Sequence, residues 1–245
     1  MGSFPKSFLI TGANRGLGFE MVKQVVAKYS PKAVFATYRD ITKAEELIQL
    51  SQIHPCIKPV LMDVSNLETF ASVVKQIDAE MGNSGLDVLI NNAGFFIKEN
   101  QSLDSITKNL VLEYLQVNTF GPLFVTQAFL PLLEKAGNSE SKKAVILTFS
   151  SRLGSIEDNQ SGGYYASRTS RAASNAITKS ISIDVKDKNI LIAAINPGWV
   201  KTDQGGENAP LTPEESVSGI LNVFENLTPS QSGLFFQYNG TIIPW

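Results

Sequence analysis

One short segment near the amino terminus, Thr11-Gly12-Ala13-Asn14-Arg15-Gly16-Leu17-Gly18, limits what this chain can fold into more than any other. It follows an apolar, β-rich run from Ser7 to Ile10 and leads straight into Phe19-Glu20-Met21-Val22, where apolar residues resume at helical period. A chain that leaves a strand and enters a helix over so few residues needs glycine. Gly12 lets the backbone turn sharply out of the strand. Gly16 lets it approach a bound group with no Cβ in the way, and Gly18 allows the helix to pack closely on the sheet. The free amides of Asn14, Arg15, Gly16 and Leu17 at the helix start then face whatever anion lies there.

The rest of the chain repeats the theme of strand followed by helix. Further β-rich runs occur at Ala33 to Thr37, Ile57 to Leu61, Val88 to Ile90, Ala144 to Phe149 and Ile190 to Ile195, with a last near Leu234 to Phe236. Between them lie stretches with apolar spacings of three and four, notably Gly18 to Ala27, Leu67 to Met81 and Val117 to Lys135. Such alternation predicts an α/β fold: a doubly wound parallel sheet of about seven strands with helices on both faces. No linker or composition break divides residues 1–245, which read as one domain. The Gly-, Asn-, Pro- and Thr-rich segment at about 201–216 reads as a mobile lid.

Composition narrows the chemistry. With 21 basic and 23 acidic residues and a net charge of −2, the chain has no concentrated basic face, so no nucleic-acid partner is expected. Cys56 and His54 are the only residues of their kinds, which removes a disulfide framework, a Cys/His zinc site and any histidine-based triad within one subunit; no metal is expected. The segment Met1 to Lys6 is polar and short, and no run approaches the ~20 apolar residues of a membrane span, so a cytoplasmic protein is expected.

Strand, glycine turn and helix in that order read as a dinucleotide site, and the spacing Gly-x-x-x-Gly-x-Gly, with Thr11 before it, resembles the short-chain dehydrogenase/reductase family of Rossmann-type folds. Other segments lie where that family has them. Asp63-Val64 ends the third strand, like the acidic residue that contacts an adenine ring. Asn91-Asn92-Ala93-Gly94 resembles the family's segment beside the adenosine ribose, assigning Asn92, Ala93 and Gly94 to the cofactor. Pro197-Gly198-Trp199-Val200-Lys201-Thr202 resembles the segment that wraps the nicotinamide, assigning Pro197, Gly198, Val200 and Thr202. Asn118 resembles the family's active-site asparagine. At the end of the second strand stands Arg39, where NAD enzymes usually place an acid. Arg39 and Arg15 would clamp a 2′-phosphate, so NADP is favoured over NAD. Asp40 leaves the alternative open, since a shift of one residue would set a carboxylate there.

The family exchanges hydride between a nicotinamide and a carbonyl or alcohol, while a tyrosine moves the proton, a serine orients the oxygen and a lysine four residues after the tyrosine lowers its pKa. Ser151 resembles the serine. The following helix departs from the pattern: Gly163-Tyr164-Tyr165-Ala166-Ser167-Arg168-Thr169-Ser170-Arg171 contains no Tyr-x-x-x-Lys. Counting back from Pro197-Gly198 puts Ser167 at the tyrosine position and Arg171 at the lysine position. Matching residue types instead gives Tyr164 and Arg168, a displaced pair and a route to residual activity. The first register is preferred on helix length and apolar phase. Serine is a far weaker and shorter acid than a phenol, and arginine carries a permanent charge, so cofactor binding survives this change more readily than turnover.

Gly-Ser-Ile after Ser151, Arg-Thr-Ser in the helix and the ending Gly240-Thr241-Ile242-Ile243-Pro244-Trp245 resemble the carbonyl-reductase-like subgroup that includes sniffer and C-factor. The resemblance implies a cytosolic NADP-linked reductase of small, apolar carbonyls or alcohols, and a homodimer paired through the long helices. The alternative is a catalytically impaired NADP-binding protein that signals or regulates.

Overall fold

Strand side chains alternate between two apolar layers, and that alternation sets the architecture. The computed structural model describes residues 5–139 and 143–245; residues 1–4 of the polar amino-terminal segment lie outside the described residues. The elements are β1 Ser7–Ile10, α1 Gly16–Tyr29, β2 Ala33–Tyr38, α2 Glu45–Ile53, β3 Ile57–Leu61, α3 Phe70–Met81 and β4 Val88–Asn91. They continue with α4 Lys108–Leu115, α5 Gly121–Gly137, β5 Ala144–Phe149, α6 Tyr165–Asp184, β6 Ile190–Asn196, α7 Pro213–Asn226 and β7 Phe235–Gln237.

All the strand pairs are parallel, in the order β3-β2-β1-β4-β5-β6-β7. Phe8, Ile10, Val34, Ala36, Val88, Ile90, Val145 and Leu147 face one layer with Met21, Val22 and Val25 of α1 and Val217, Ile220 and Leu221 of α7. Their neighbours Leu9, Phe35, Leu89, Ile146 and Ile192 face the other, with Phe70, Val73 and Ile77 of α3 and Val125, Phe129 and Leu132 of α5. This is the doubly wound Rossmann-type sheet expected from the sequence. The chain moves outward from β1 through β2 to β3, then returns to place β4 on the other side of β1. That reversal opens a crevice beyond the carboxyl ends of β1 and β4, where ligands bind in such sheets.

Three local features differ from the expectation. Helix α2 is an addition, and its acidic first turn, Glu45 and Glu46, suits a helix amino terminus. The stretch expected as one helix from Val117 to Lys135 begins instead inside a π-helical turn, Gln116–Phe120, which joins the preceding α4 to α5. Pro122 has no N–H to offer the carbonyl of Asn118, and the ladder widens so that the Gly121 amide bonds the Gln116 carbonyl. The segment expected as a lid is not irregular throughout: residues 213–216 form the first turn of α7, and Val200 bridges Leu211. Thr212 and Glu215 form a reciprocal capping box there, at 3.2 and 2.9 Å. Thr212→Ala is expected to cost about 1 kcal/mol, seen as a lower urea midpoint at unchanged slope. Among the described residues no helix is long and apolar enough to cross a membrane.

Candidate active site

The glycine loop is held from two sides before any ligand is considered. The Thr11 hydroxyl accepts from the amides of Asn92 (3.0 Å) and Ala93 (2.9 Å), while the Asn92 side chain donates to the carbonyls of Thr11 (2.8 Å) and Gly12 (3.0 Å). From β2, Thr37 takes the amides of Gly12 and Ala13 at 3.1 and 2.7 Å. Gly12 and Gly16 both occupy the left-handed region, with φ of 63° and 54°. A Cβ on Gly18 would run into the Gly12 carbonyl and the Asn92 amide. The first turn of α1 then carries no acidic residue, and Arg15 at its cap makes no side-chain capping bond, which leaves amides of the turn directed at the crevice.

At the end of β2 the structure separates the two charges that the sequence left in competition. The Asp40 carboxylate accepts from the Thr42 amide (3.0 Å) and hydroxyl (2.7 Å), capping a short 3-10 turn. These bonds hold it below the usual carboxylate range. Arg39 is exposed. Arg15 is paired with Asp203 at 2.5 Å, and the Asn14 amide donates to the Lys43 carbonyl at 2.8 Å. Asp63 turns back onto Ser65, accepting from its amide and hydroxyl at 2.9 and 2.7 Å, and Val64 is buried against Gly121. On the far side, Gly198 is left-handed at 85°, Val200 is buried, and the Ser216 hydroxyl donates to the Pro197 carbonyl. Thr202 faces Gly16, and the Gln204 amide donates to the Gly94 carbonyl at 3.3 Å. The Pro197–Thr202 segment thus comes back to the loop where the chain first entered the crevice.

Beyond β4 and β5 the structure brings Asn118 and Arg171 together over Gly94: a Cβ there would lie 2.7 Å from Arg171 Nη2 and 3.0 Å from Asn118 Oδ1. Arg171 also donates to the Phe149 carbonyl at 2.7 Å. Burial draws its guanidinium down to about 10, against an opposing influence from Tyr114, so it remains cationic at neutral pH. Ser151, two residues past Phe149, accepts from the Leu153 amide at 3.2 Å, whereas Ser150 donates to Asn175 at 2.6 Å. Ser167 is 3% exposed, on α6 one turn before Arg171.

Tyr164 and Arg168 do not form a pair on one helix face. Helix α6 begins at Tyr165, and Tyr164 precedes it in the left-handed region, φ 54°, its ring 5.9 Å from Phe96. Arg168 turns to the preceding loop and donates to the Gly163 carbonyl (3.0 Å), the Gly162 carbonyl (3.1 Å) and the Ser161 hydroxyl (2.9 Å). Tyr165 is exposed.

Two further polar residues complete the surroundings. Gln101, from the irregular segment after β4, is 3% exposed, and Tyr114 of α4 is wholly buried. Burial lifts the Tyr114 phenol above the usual tyrosine range, offset by its bond to the Ile97 backbone and by the Arg171 charge. The fourfold spacing of Tyr114 and Asn118 was the one legible hint, and nothing in Glu99-Asn100-Gln101-Ser102 marks the glutamine as buried.

A family model described as short chain dehydrogenase matches residues 6–210. The carbonyl reductase Sniffer of D. melanogaster is similar over 98% of this chain and 100% of its own, with a TM-score of 0.95 and 38% identity. An NADPH-bound carbonyl reductase from chicken fatty liver is similar over 99% of this chain and 100% of its own, with a TM-score of 0.92 and 38% identity. An uncharacterised oxidoreductase of Schizosaccharomyces pombe is 34% identical over the full length of both chains. This chain therefore belongs to the short-chain dehydrogenase/reductase family, among its carbonyl-reductase-like members.

Proposed function

We propose that this protein is an NADP-dependent oxidoreductase of the carbonyl reductase or alcohol dehydrogenase type, acting on small apolar carbonyls or alcohols, with proton delivery weakened by the loss of the helix phenol. The observation that carries the reading is the convergence of Arg171 and Asn118 over Gly94, beside a glycine cradle with uncapped amides. The cradle suits a dinucleotide: side chains at Gly12, Gly16 and Gly18 are barred by left-handed backbone or by collision, and no acid in the turn repels a pyrophosphate. The exposed Arg39, with Asp40 occupied by Thr42, favours a 2′-phosphate, and the NADPH-bound relative supports the same choice. The nicotinamide, when bound, supplies or accepts hydride.

The chain's own groups then have separate tasks. Arg171 and Asn118 hold the ribose end, Ser151 orients the substrate oxygen, and Phe96, Ile97 and Tyr164 offer it an apolar wall. Proton transfer is the weak step. Ser167 offers a short alcohol in place of a phenol, and this favours a second reading, a cofactor-binding protein with little turnover.

Titration of the protein with NADPH, followed by quenching of intrinsic fluorescence, is expected to saturate. Arg39→Ala is expected to weaken NADPH about tenfold or more while leaving NADH nearly unchanged, because only the former loses a charge-assisted bond. No saturable affinity for either dinucleotide would end the proposal. Equal losses for both cofactors would remove Arg39 from the phosphate site.

A further inference from the structure

Between β4 and α4 the chain passes through an irregular segment whose backbone at Phe95 and Ile97 is satisfied by the side chains of Asn118 and Tyr114. Asn118 donates from Nδ2 to the Phe95 carbonyl and accepts from the Phe95 amide, both at 3.0 Å. Tyr114 does the same two residues on: its hydroxyl accepts from the Ile97 amide at 2.7 Å and donates to the Ile97 carbonyl at 3.0 Å. Two side chains four residues apart thus grip alternate residues of an extended strip, as a neighbouring strand would. The Phe95 ring lies 4.5 Å from the Tyr114 ring, which closes the strip over the helix.

Gln101 extends this ladder to α6. Its Nε2 donates to the Tyr114 hydroxyl at 3.0 Å and also to the Ile97 carbonyl. Its Oε1 accepts from the Ser167 amide at 3.0 Å, and its own carbonyl accepts from the Tyr165 amide at 3.3 Å. The helix needs these acceptors, because Tyr164 at its cap has no side-chain capping bond. A residue far away in sequence therefore caps the helix that carries Ser167 and Arg171. Tyr114 and Arg171 also influence one another electrostatically, the guanidinium lowering the phenol and the phenol favouring the guanidinium's charge.

We propose that Gln101 and Tyr114 are positioning residues for this site: a buried amide and phenol that bind the first turn of α6 to the Phe95–Ile97 wall and thereby set the place of Arg171 over Gly94. The proposal rests on the cofactor reading above for its effect on NADPH, but its geometric core does not. Gln101 is 3% exposed and Tyr114 not at all. They act through Asn118's neighbour strip, Ser167 and Arg171.

Hydrogen exchange and NADPH titration of the full chain test it together. Gln101→Met keeps the shape and removes both donor and acceptor. It is expected to speed exchange of the Ser167 amide about tenfold or more and to weaken NADPH about tenfold. Gln101→Glu retains an acceptor and is expected to restore Ser167 protection to near the parent level. Tyr114→Phe and Arg171→Met are expected to be coupled, their combined effect on NADPH affinity falling short of the product by about fivefold.

Equal Ser167 exchange in the parent, the Met and the Glu variants overturns the proposal, and so does strict multiplicativity of the Tyr114 and Arg171 effects. Should Gln101→Met fail to fold, the Glu variant and the Tyr114–Arg171 cycle decide. Should the parent bind no NADPH, the cofactor reading falls, while the exchange comparison still upholds or overturns the positioning role.

Discussion

Ser167→Tyr combined with Arg171→Lys is expected to raise NADPH-dependent reduction of apolar ketones or quinones by about 10²–10⁴-fold, the usual contribution of a positioned proton donor. Ser167 and Arg171 lie one turn apart on α6, and Arg171 already stands with Asn118 over Gly94. A phenol and an amine at these positions would restore an acid with its pKa lowered by a neighbouring cation, which serine and arginine do not provide. Steady-state NADPH consumption over a panel of aldehydes, ketones and quinones reads the effect. Tyr164→Phe in the parent is the control. Tyr164 sits outside α6 in the left-handed region and Arg168 is engaged by the loop before it, so this change is expected to leave turnover within about twofold. Parent activity that equals the double variant and vanishes in Tyr164→Phe would instead make Tyr164 the proton donor.

Gly18→Val is expected to abolish measurable dinucleotide affinity and to destabilise the fold by about 1–3 kcal/mol, the range for overpacking a close contact. The new side chain would meet the Gly12 carbonyl and the Asn92 amide, two groups that already lock the loop to β4. Neither can retreat freely. The Gly12 carbonyl is backbone, and Asn92 also holds the Thr11 carbonyl. A calorimetric titration with NADPH and a urea melt separate the two effects. Retained affinity with the fold intact would mean that the loop does not grip the cofactor through its backbone, and the reading of the cradle would fail with it.

The sheet was legible in the sequence because buried parallel strands read as short, continuous apolar runs. β1, β3 and β5 match the expected runs at both ends, and β2, β4, β6 and β7 differ by a residue. The glycine loop was legible because left-handed backbone and close approach admit so few residue types, as at Gly12 and Gly16. The missing Tyr-x-x-x-Lys was also plain from residue identity alone. Less was legible where partners come from afar. Sequence left Asp40 and Arg39 in competition, and the structure separated them only through Thr42, whose amide and hydroxyl turn the carboxylate aside. The π turn at Asn118 hid within an ordinary helical period, because Pro122 removes one amide and leaves the apolar pattern intact.

Gln101 is the sharpest case. Its neighbours are polar and exposed, and its burial depends on Tyr114 and on the amides of α6, 66 residues away at Ser167. Local sequence determines which conformations a short segment can take, and so it determined the strands and the loop. Which polar groups are satisfied by which others is decided only when distant segments meet, since a buried donor must find an acceptor wherever the fold brings one.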